Sequence, residues 1–126
     1  CYFLDQGAEF IATNADLLYP MKGKRYIPDC GSMAQMFINA TSKKPYVIGK
    51  PNSYMIELLA KKHCVSKEQI AIIGDRLYTD IASGINAGIV TISVLTGETQ
   101  RKMFETSPYQ PDYILDSIAD LNKIFK

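Results

Sequence analysis

The chain has 126 residues, enough for one domain and too few for two well-buried cores. Apolar residues make up 47% and charged residues 21%, the balance of an ordinary soluble globular protein, and the net charge of +1 gives no pull towards nucleic acid or an anionic membrane. The longest apolar runs, such as Ile70 to Ile73 and Ile89 to Leu95, are strand-sized and exclude a transmembrane helix.

Cys1, Cys30 and Cys64 lie far apart with no C-x-x-C spacing. An odd, unpatterned count argues for a reducing, cytoplasmic compartment and against a disulfide framework or a zinc site. No charged-then-apolar leader stands at the N-terminus, and Cys1 in place of Met implies that the natural start lies upstream. His63, at the end of an amphipathic helix, reads as a packed or half-exposed residue rather than a ligand or base.

Strand-like and helix-like segments alternate along the chain, the pattern of an α/β layer fold with a largely parallel sheet. Glu9 to Ala12 reads as a short strand that ends in the polar turn Thr13-Asn14-Ala15-Asp16. Leu17 to Asp29 carries Pro20, Gly23 and Pro28 among basic residues and reads as loop. Ser32-Met33-Ala34-Gln35 is a capping-box pattern, followed by one apolar helix face at Met33, Met36, Phe37 and Ala40. Pro45 stops that helix, and Tyr46-Val47-Ile48 is a short strand leading into Gly49-Lys50-Pro51.

Asn52 or Ser53 can cap the next helix, with Met55, Ile56, Leu59 and Ala60 as its buried stripe. The strand Ile70-Ala71-Ile72-Ile73 ends at Gly74-Asp75. Thr79 and Asp80 then suit the start of a helix that buries Ile81, Ala82 and Ile85 and stops at Gly88. Val90 to Leu95 is a third apolar strand, closed by Thr96-Gly97. Tyr113 to Leu115 is a last short strand, and Ser117 caps a closing helix with Ile118, Leu121 and Ile124 inward. Residues up to about 46 have an irregular, loop-rich character, and the remainder is a regular alternation.

Two segments carry chemistry. Gly74-Asp75-Arg76-Leu77-Tyr78-Thr79-Asp80 directly follows a buried strand. Ligands of open α/β sheets bind at the carboxyl ends of strands, so a carboxylate there faces the crevice. Magnesium takes hard oxygen ligands and keeps several waters, which suits one or two carboxylates on a sheet rim. The plainer reading is that Asp75 ends a strand and Asp80 favours a helix N-terminus. Gly49-Lys50-Pro51 places an ammonium between a strand and a capped helix, where it can pair with a phosphate, although a Lys-Pro in a loop is usually solvated.

In this order and setting the two segments resemble motifs three and four of the haloacid dehalogenase superfamily. Thr13-Asn14-Ala15-Asp16, Pro28 to Ser32, Ile48-Gly49-Lys50-Pro51, the Gly-Asp segment and Leu95-Thr96-Gly97 together resemble the subfamily IIA phosphatases, the NagD-like and nitrophenylphosphatase-like enzymes. The resemblance runs from about Gly7 to Ile124.

It implies a Rossmann-like parallel core sheet with an inserted cap domain. Residues 1–46 would close the cap, and residues 47–126 would form the C-terminal half of the core. It implies a magnesium-dependent phosphomonoester hydrolase acting through an aspartyl-phosphate. Asp75 would ligate Mg2+, Asp80 would hold metal-bound water or the neighbouring loop, and Lys50 would orient the nucleophile and bind phosphate. Thr13, Asn14 and Asp16 match a cap turn over the active site that could touch the substrate's leaving group, or simply a turn held by side-chain to backbone bonds. The expected partner is a small phosphorylated metabolite, with a homodimer left open. Asp29 stands where the family usually has Gly, which sets the cap geometry apart.

No residue matches the family's DxD nucleophile or its second, Ser/Thr motif; Asp5 is followed by Gln-Gly. This chain by itself is therefore expected to hydrolyse no phosphate ester. The strand Ile70 to Ile73 would sit beside a nucleophile strand that none of these residues supplies, leaving an edge unpaired. One alternative is a non-catalytic phosphate-binding or regulatory module with the same fold. Another is a response-regulator receiver, but receivers place their Lys-Pro after the acidic strands, whereas Lys50 precedes Asp75.

Overall fold

The computed structural model describes residues 1–124 and divides into two compact units, Cys1–Lys50 and Pro51 onward. The architecture is α/β with parallel strand pairing, as the alternation predicts. Among the described residues no helix is long and apolar enough to cross a membrane.

The first unit opens with a single helical turn, α1 (Tyr2–Asp5), and contains a two-stranded parallel sheet of β1 (Ile11–Ala12) and β4 (Tyr46–Val47). Tyr46 N donates to Phe10 O (2.7 Å) and Ile48 N to Ala12 O (2.9 Å). These bonds hold Tyr46–Val47 within the first unit.

The segment expected as loop is instead an antiparallel hairpin, β2 (Leu18–Met21) and β3 (Arg25–Pro28). Tyr and Ile favour strands, and Gly23 (φ 81°) and Lys24 (φ 58°) supply the left-handed backbone that reverses the chain. Pro20 and Pro28 are tolerated because each strand has one ladder partner, leaving an edge where a missing N–H costs nothing.

Helix α2 (Cys30–Thr41) starts earlier than the capping-box pattern implies. Asp29 is the N-cap, its Oδ1 accepting from Cys30 N (2.7 Å), while Ser32 Oγ donates to Leu17 O (2.6 Å). A short carboxylate satisfies an orphan amide and favours the positive helix end, so Asp here strengthens the start of α2. The face turned inward is Ala34, Phe37 and Ile38. Met33, Met36 and Ala40 are exposed. Phe37 sets the rotation by meeting Phe10 edge-to-face, with ring centres 6.0 Å apart.

The second unit begins with α3 (Tyr54–His63), whose first turn receives Asn52 Oδ1 on Tyr54 N (2.9 Å). Its expected stripe is only half covered: Ile56 and Ala60 are partly buried, and Met55 and Leu59 are exposed. His63 is exposed in the last turn beside Lys61 and Lys62. Three parallel strands follow in the order β5 (Ala71–Gly74), β6 (Val90–Val94) and β7 (Tyr113–Leu115), so β5 lies at a sheet edge and pairs only with β6 among the described residues.

One face of this sheet is closed by a π-helical turn, Leu77–Ile81, running straight into α4 (Ala82–Ala87), with Gly88 as a left-handed C-cap (φ 69°). Ile81 and Ala82 are fully buried there, and Leu77, Ala87 and Ile89 nearly so. Burying a side chain the size of Ile81 contributes about 1.5–3 kcal/mol. Ile85, expected inward, is exposed because the face of α4 turned to the sheet is that of Ser83, Gly84 and Ala87, with Gly84 so close to Ile72 and Thr91 that a Cβ there would overlap both. The other face carries Ala71, Val90, Ile92, Tyr113 and Leu115, which with Leu121 line an apolar concavity of about 500 Å³. The closing helix is one turn, α5 (Leu121–Ile124), after a 3-10 turn at Ile118–Asp120. Ile118 is exposed and Leu121 partly buried; the side chain of Ile124 lies outside the described residues.

A carboxylate fastens β7 to β6. Asp112 Oδ2 accepts from Thr91 N and from Thr91 Oγ1, both at 2.8 Å, and Asp112 N donates to Thr91 Oγ1 at 3.0 Å. The Thr91 amide first, and the Thr91 hydroxyl second, hold the Asp112 carboxyl below its ordinary value. A carboxyl lowered on folding stabilises fully above the unfolded value of ~3.9, and that contribution is lost as pH falls through the folded value. Asp112→Asn is therefore expected to flatten the fall in stability between about pH 5 and pH 3, read as the urea midpoint against pH. An acid limb as steep as the parent's would refute the assignment.

Candidate functional site

The carboxyl end of β5 carries the first cluster. Gly74 ends the strand and Asp75 follows in a partly buried position. The loop after β6 folds back onto it. Glu98 N donates to Asp75 Oδ2 (2.9 Å), while Thr99 N (3.0 Å) and Thr99 Oγ1 (2.6 Å) both donate to Asp75 O. Thr99 is 1% exposed. Gly97 is required by close approach, because a Cβ there would run into the Asp75 carboxyl group. Arg76 Nε meets Glu98 Oε2 at 2.7 Å, a partly exposed pair that contributes at most about 1 kcal/mol.

Asp80 reaches the same strand end from the π turn. It is 6% exposed, and its Oδ2 accepts from Arg76 N (3.1 Å). The π register is seen in Ile81 N donating to Arg76 O (3.2 Å), alongside Asp80 N donating to the same carbonyl (3.0 Å). Single π turns recur at functional sites. Gly74 leaves room for Asp80: a Cβ there would overlap the Asp80 side chain from its own Cβ outward. The buried hydroxyls of Thr79 and Ser93 have no hydrogen-bond partner among the described residues, and Ser93 is the register partner of Gly74.

The second cluster belongs to the first unit. β1 and β4 run parallel, so their carboxyl ends deliver Thr13-Asn14-Ala15-Asp16 and Gly49-Lys50 to one edge. Gly49 packs so closely on the Thr13 carbonyl that a Cβ would overlap it. Asp16 N donates to Asn14 Oδ1 (2.9 Å), the side-chain-held turn weighed from the sequence, and Gly31 N donates to Asp16 O (2.8 Å). Cys30, which no sequence pattern singles out, joins this cluster through Thr13 Oγ1 donating to its Sγ (3.5 Å). The Asn14 main chain first, then the Thr13 hydroxyl, hold the Cys30 thiol below its ordinary value. Thr13, Asn14, Asp16 and Lys50 thus gather in the first unit, and Asp75 with Asp80 in the second.

Residues 47–121, which contain Lys50, Asp75 and Asp80, match the family model described as HAD-hydrolase-like. The chain belongs to the HAD-like hydrolase family. It is 35% identical over 123 residues to ribonucleotide monophosphatase NagD of Escherichia coli (strain K12), covering 98% of this chain and 48% of that protein. Its structure is similar to that of 4-nitrophenylphosphatase from Thermotoga maritima, with a TM-score of 0.90 and 40% identity over 98% of this chain and 47% of the other. It is also similar to glycerol phosphate phosphatase Rv1692 from Mycobacterium tuberculosis in complex with magnesium, with a TM-score of 0.85 and 28% identity over 94% of this chain and 36% of the other. The chain spans about half the length of the first two of these relatives.

The carboxylates at the end of β5 fit a hard divalent cation. They are oxygen donors, and Asp75 Oδ2 carries the Glu98 amide while Oδ1 receives no hydrogen bond among the described residues. Among the described residues no group of three or more His, Cys, Asp or Glu is placed to hold a metal. A single available carboxylate, that of Asp75, agrees with the habit of Mg2+, which keeps several waters and binds few protein ligands. The 500 Å³ concavity is a poor rival: it lies towards the amino ends of the strands, away from these carboxylates.

Gly74→Ala is expected to destabilise the protein by about 1–3 kcal/mol, since the new methyl meets a buried side chain fixed by the π turn. The measurement is chemical denaturation of the full-length protein. A variant as stable as the parent would show that Asp80 can move aside.

Proposed function

We propose that the full-length protein is a magnesium-dependent phosphatase that hydrolyses a small phosphorylated metabolite through an aspartyl-phosphate. The observation that carries this reading is the Asp75 carboxylate, held at the carboxyl end of a parallel strand with one oxygen bonded to Glu98 N and the other left for a cation. The phosphatases to which the chain is similar act in the same direction as that observation. In this reading residues 1–46 are the closing part of a cap and residues 47–126 the C-terminal half of the core, a division supported by the family-model match over residues 47–121.

The chemistry has two steps. An aspartate carboxylate oxygen, from a segment matching none of these 126 residues, attacks phosphorus, and the ester P–O bond breaks with its electron pair going to the leaving oxygen, which takes a proton from solvent water. Water then hydrolyses the aspartyl-phosphate, releasing inorganic phosphate and restoring the carboxylate. Magnesium, when bound, offsets the negative charge on the phosphoryl oxygens. Asp75 supplies a ligand oxygen. Asp80 fixes the Arg76 main chain behind it through Oδ2. Lys50 orients the nucleophile and pairs with the phosphoryl charge, which would otherwise repel an anionic substrate. Thr13, Asn14 and Asp16 contact the leaving group, so their loop bears on which ester is accepted.

In the full-length protein, Asp75→Asn is expected to abolish magnesium-dependent hydrolysis of p-nitrophenyl phosphate while leaving the far-UV spectrum unchanged. Near-normal turnover at saturating magnesium would sink the assignment. Lys50→Met keeps most of the apolar stem and removes the charge. Its turnover is expected to fall by about two to three orders of magnitude. Its melting transition should barely move, within about 0.5 kcal/mol. A large loss of stability with full activity would make Lys50 a packing residue.

A further inference from the structure

Asp75 is held chiefly from outside its own strand. Its carbonyl accepts twice from Thr99, 24 residues further on, and its carboxylate accepts from the neighbouring Glu98. We propose that Thr99 is the positioning residue for Asp75: its hydroxyl fixes the Asp75 main chain so that Oδ2 meets the Glu98 amide and Oδ1 remains the oxygen available to the cation. This rests on Asp75 being a metal ligand, as argued above.

Three observations support it. The Thr99 hydroxyl is fully buried and makes a short 2.6 Å bond, so it is not a solvated group that happens to lie near. The loop from Leu95 to Gln100 has no regular structure of its own, so its position depends on such bonds. Gly97 passes against the Asp75 carboxyl with no room for a Cβ, so a small shift of the loop is felt by that carboxyl. Magnesium demands near-ideal octahedral geometry, and a ligand carboxylate displaced by a few tenths of an ångström binds it poorly. The Arg76–Glu98 pair is a weaker candidate for the same task, because it is partly exposed and screened.

The test is calorimetric titration of the full-length protein with Mg2+ alone, without substrate, on the parent, Thr99→Val, Thr99→Ser, Glu98→Gln and Asp75→Asn. Thr99→Val keeps the shape and the amide bond and removes only the hydroxyl bond. It should weaken Mg2+ binding by about 10–100-fold, the usual effect of losing a group that orients a ligand. Thr99→Ser and Glu98→Gln should stay close to the parent, and Asp75→Asn should lose the site. Parent-like binding by Thr99→Val, or equal weakening by Val and Ser, with Asp75→Asn still deficient, would overturn the role of Thr99 and leave Asp75 as ligand. Parent-like binding by Asp75→Asn would overturn the ligand assignment itself. Melting in metal-free buffer checks that each variant is folded. Should Thr99→Val fail that check, Thr99→Ala, which adds no bulk, is read in its place with the same outcomes.

Discussion

The hydrogen bonds that draw the loop after β6 onto Asp75 organise the second unit at the carboxyl end of its sheet. β5 is four residues long and lies at a sheet edge, so its own ladder cannot hold the residue beyond it. The Glu98 amide and both donors of Thr99 supply that anchorage. They work only because Gly97 leaves the approach open, and because β6, with Thr91, Ser93 and Val94 buried, is the firmly seated middle strand. Thr91 in turn clasps Asp112 and fixes the start of β7. A chain of polar contacts therefore runs across three short parallel strands whose individual ladders are slight.

The π turn makes a second adjustment at the same place. An α-helix started at Leu77 would distribute its side chains at 3.6 per turn. The wider turn places Leu77, Thr79, Asp80 and Ile81 all in buried positions before α4 resumes. A buried carboxylate is costly unless its oxygens are satisfied. Asp80 meets that condition in part through the Arg76 amide, and it occupies space that any side chain at position 74 would fill. Gly74 and Gly97 therefore do the same kind of work, each leaving room for one carboxylate of the pair.

Many apolar side chains stay exposed, among them Met33, Met36, Met55, Leu59, Ile85 and Ile118. Two small units bury a limited fraction of their surface, and the curated relatives cited above are about twice as long as this chain. The periodicity that places these residues on helix faces is real, but a face is buried only when another layer covers it.

The alternation of strand and helix, the parallel sheet, the membership of a hydrolase family and the strand-end positions of Asp75 and Lys50 were all legible in the residues, because they depend on local periodicity and on short ordered motifs. The hairpin at Leu18–Pro28 was hidden by its prolines, which read as loop until an edge excuses them. The cap of α2 passed from Ser32 to Asp29 because capping depends on where the chain enters the helix. Only the tertiary structure could bring Thr99 and Glu98 to Asp75, Cys30 to Thr13, and Gly49 onto the Thr13 carbonyl. These contacts join residues 17 to 36 positions apart, and no local pattern encodes them; strand pairing and loop return decide them.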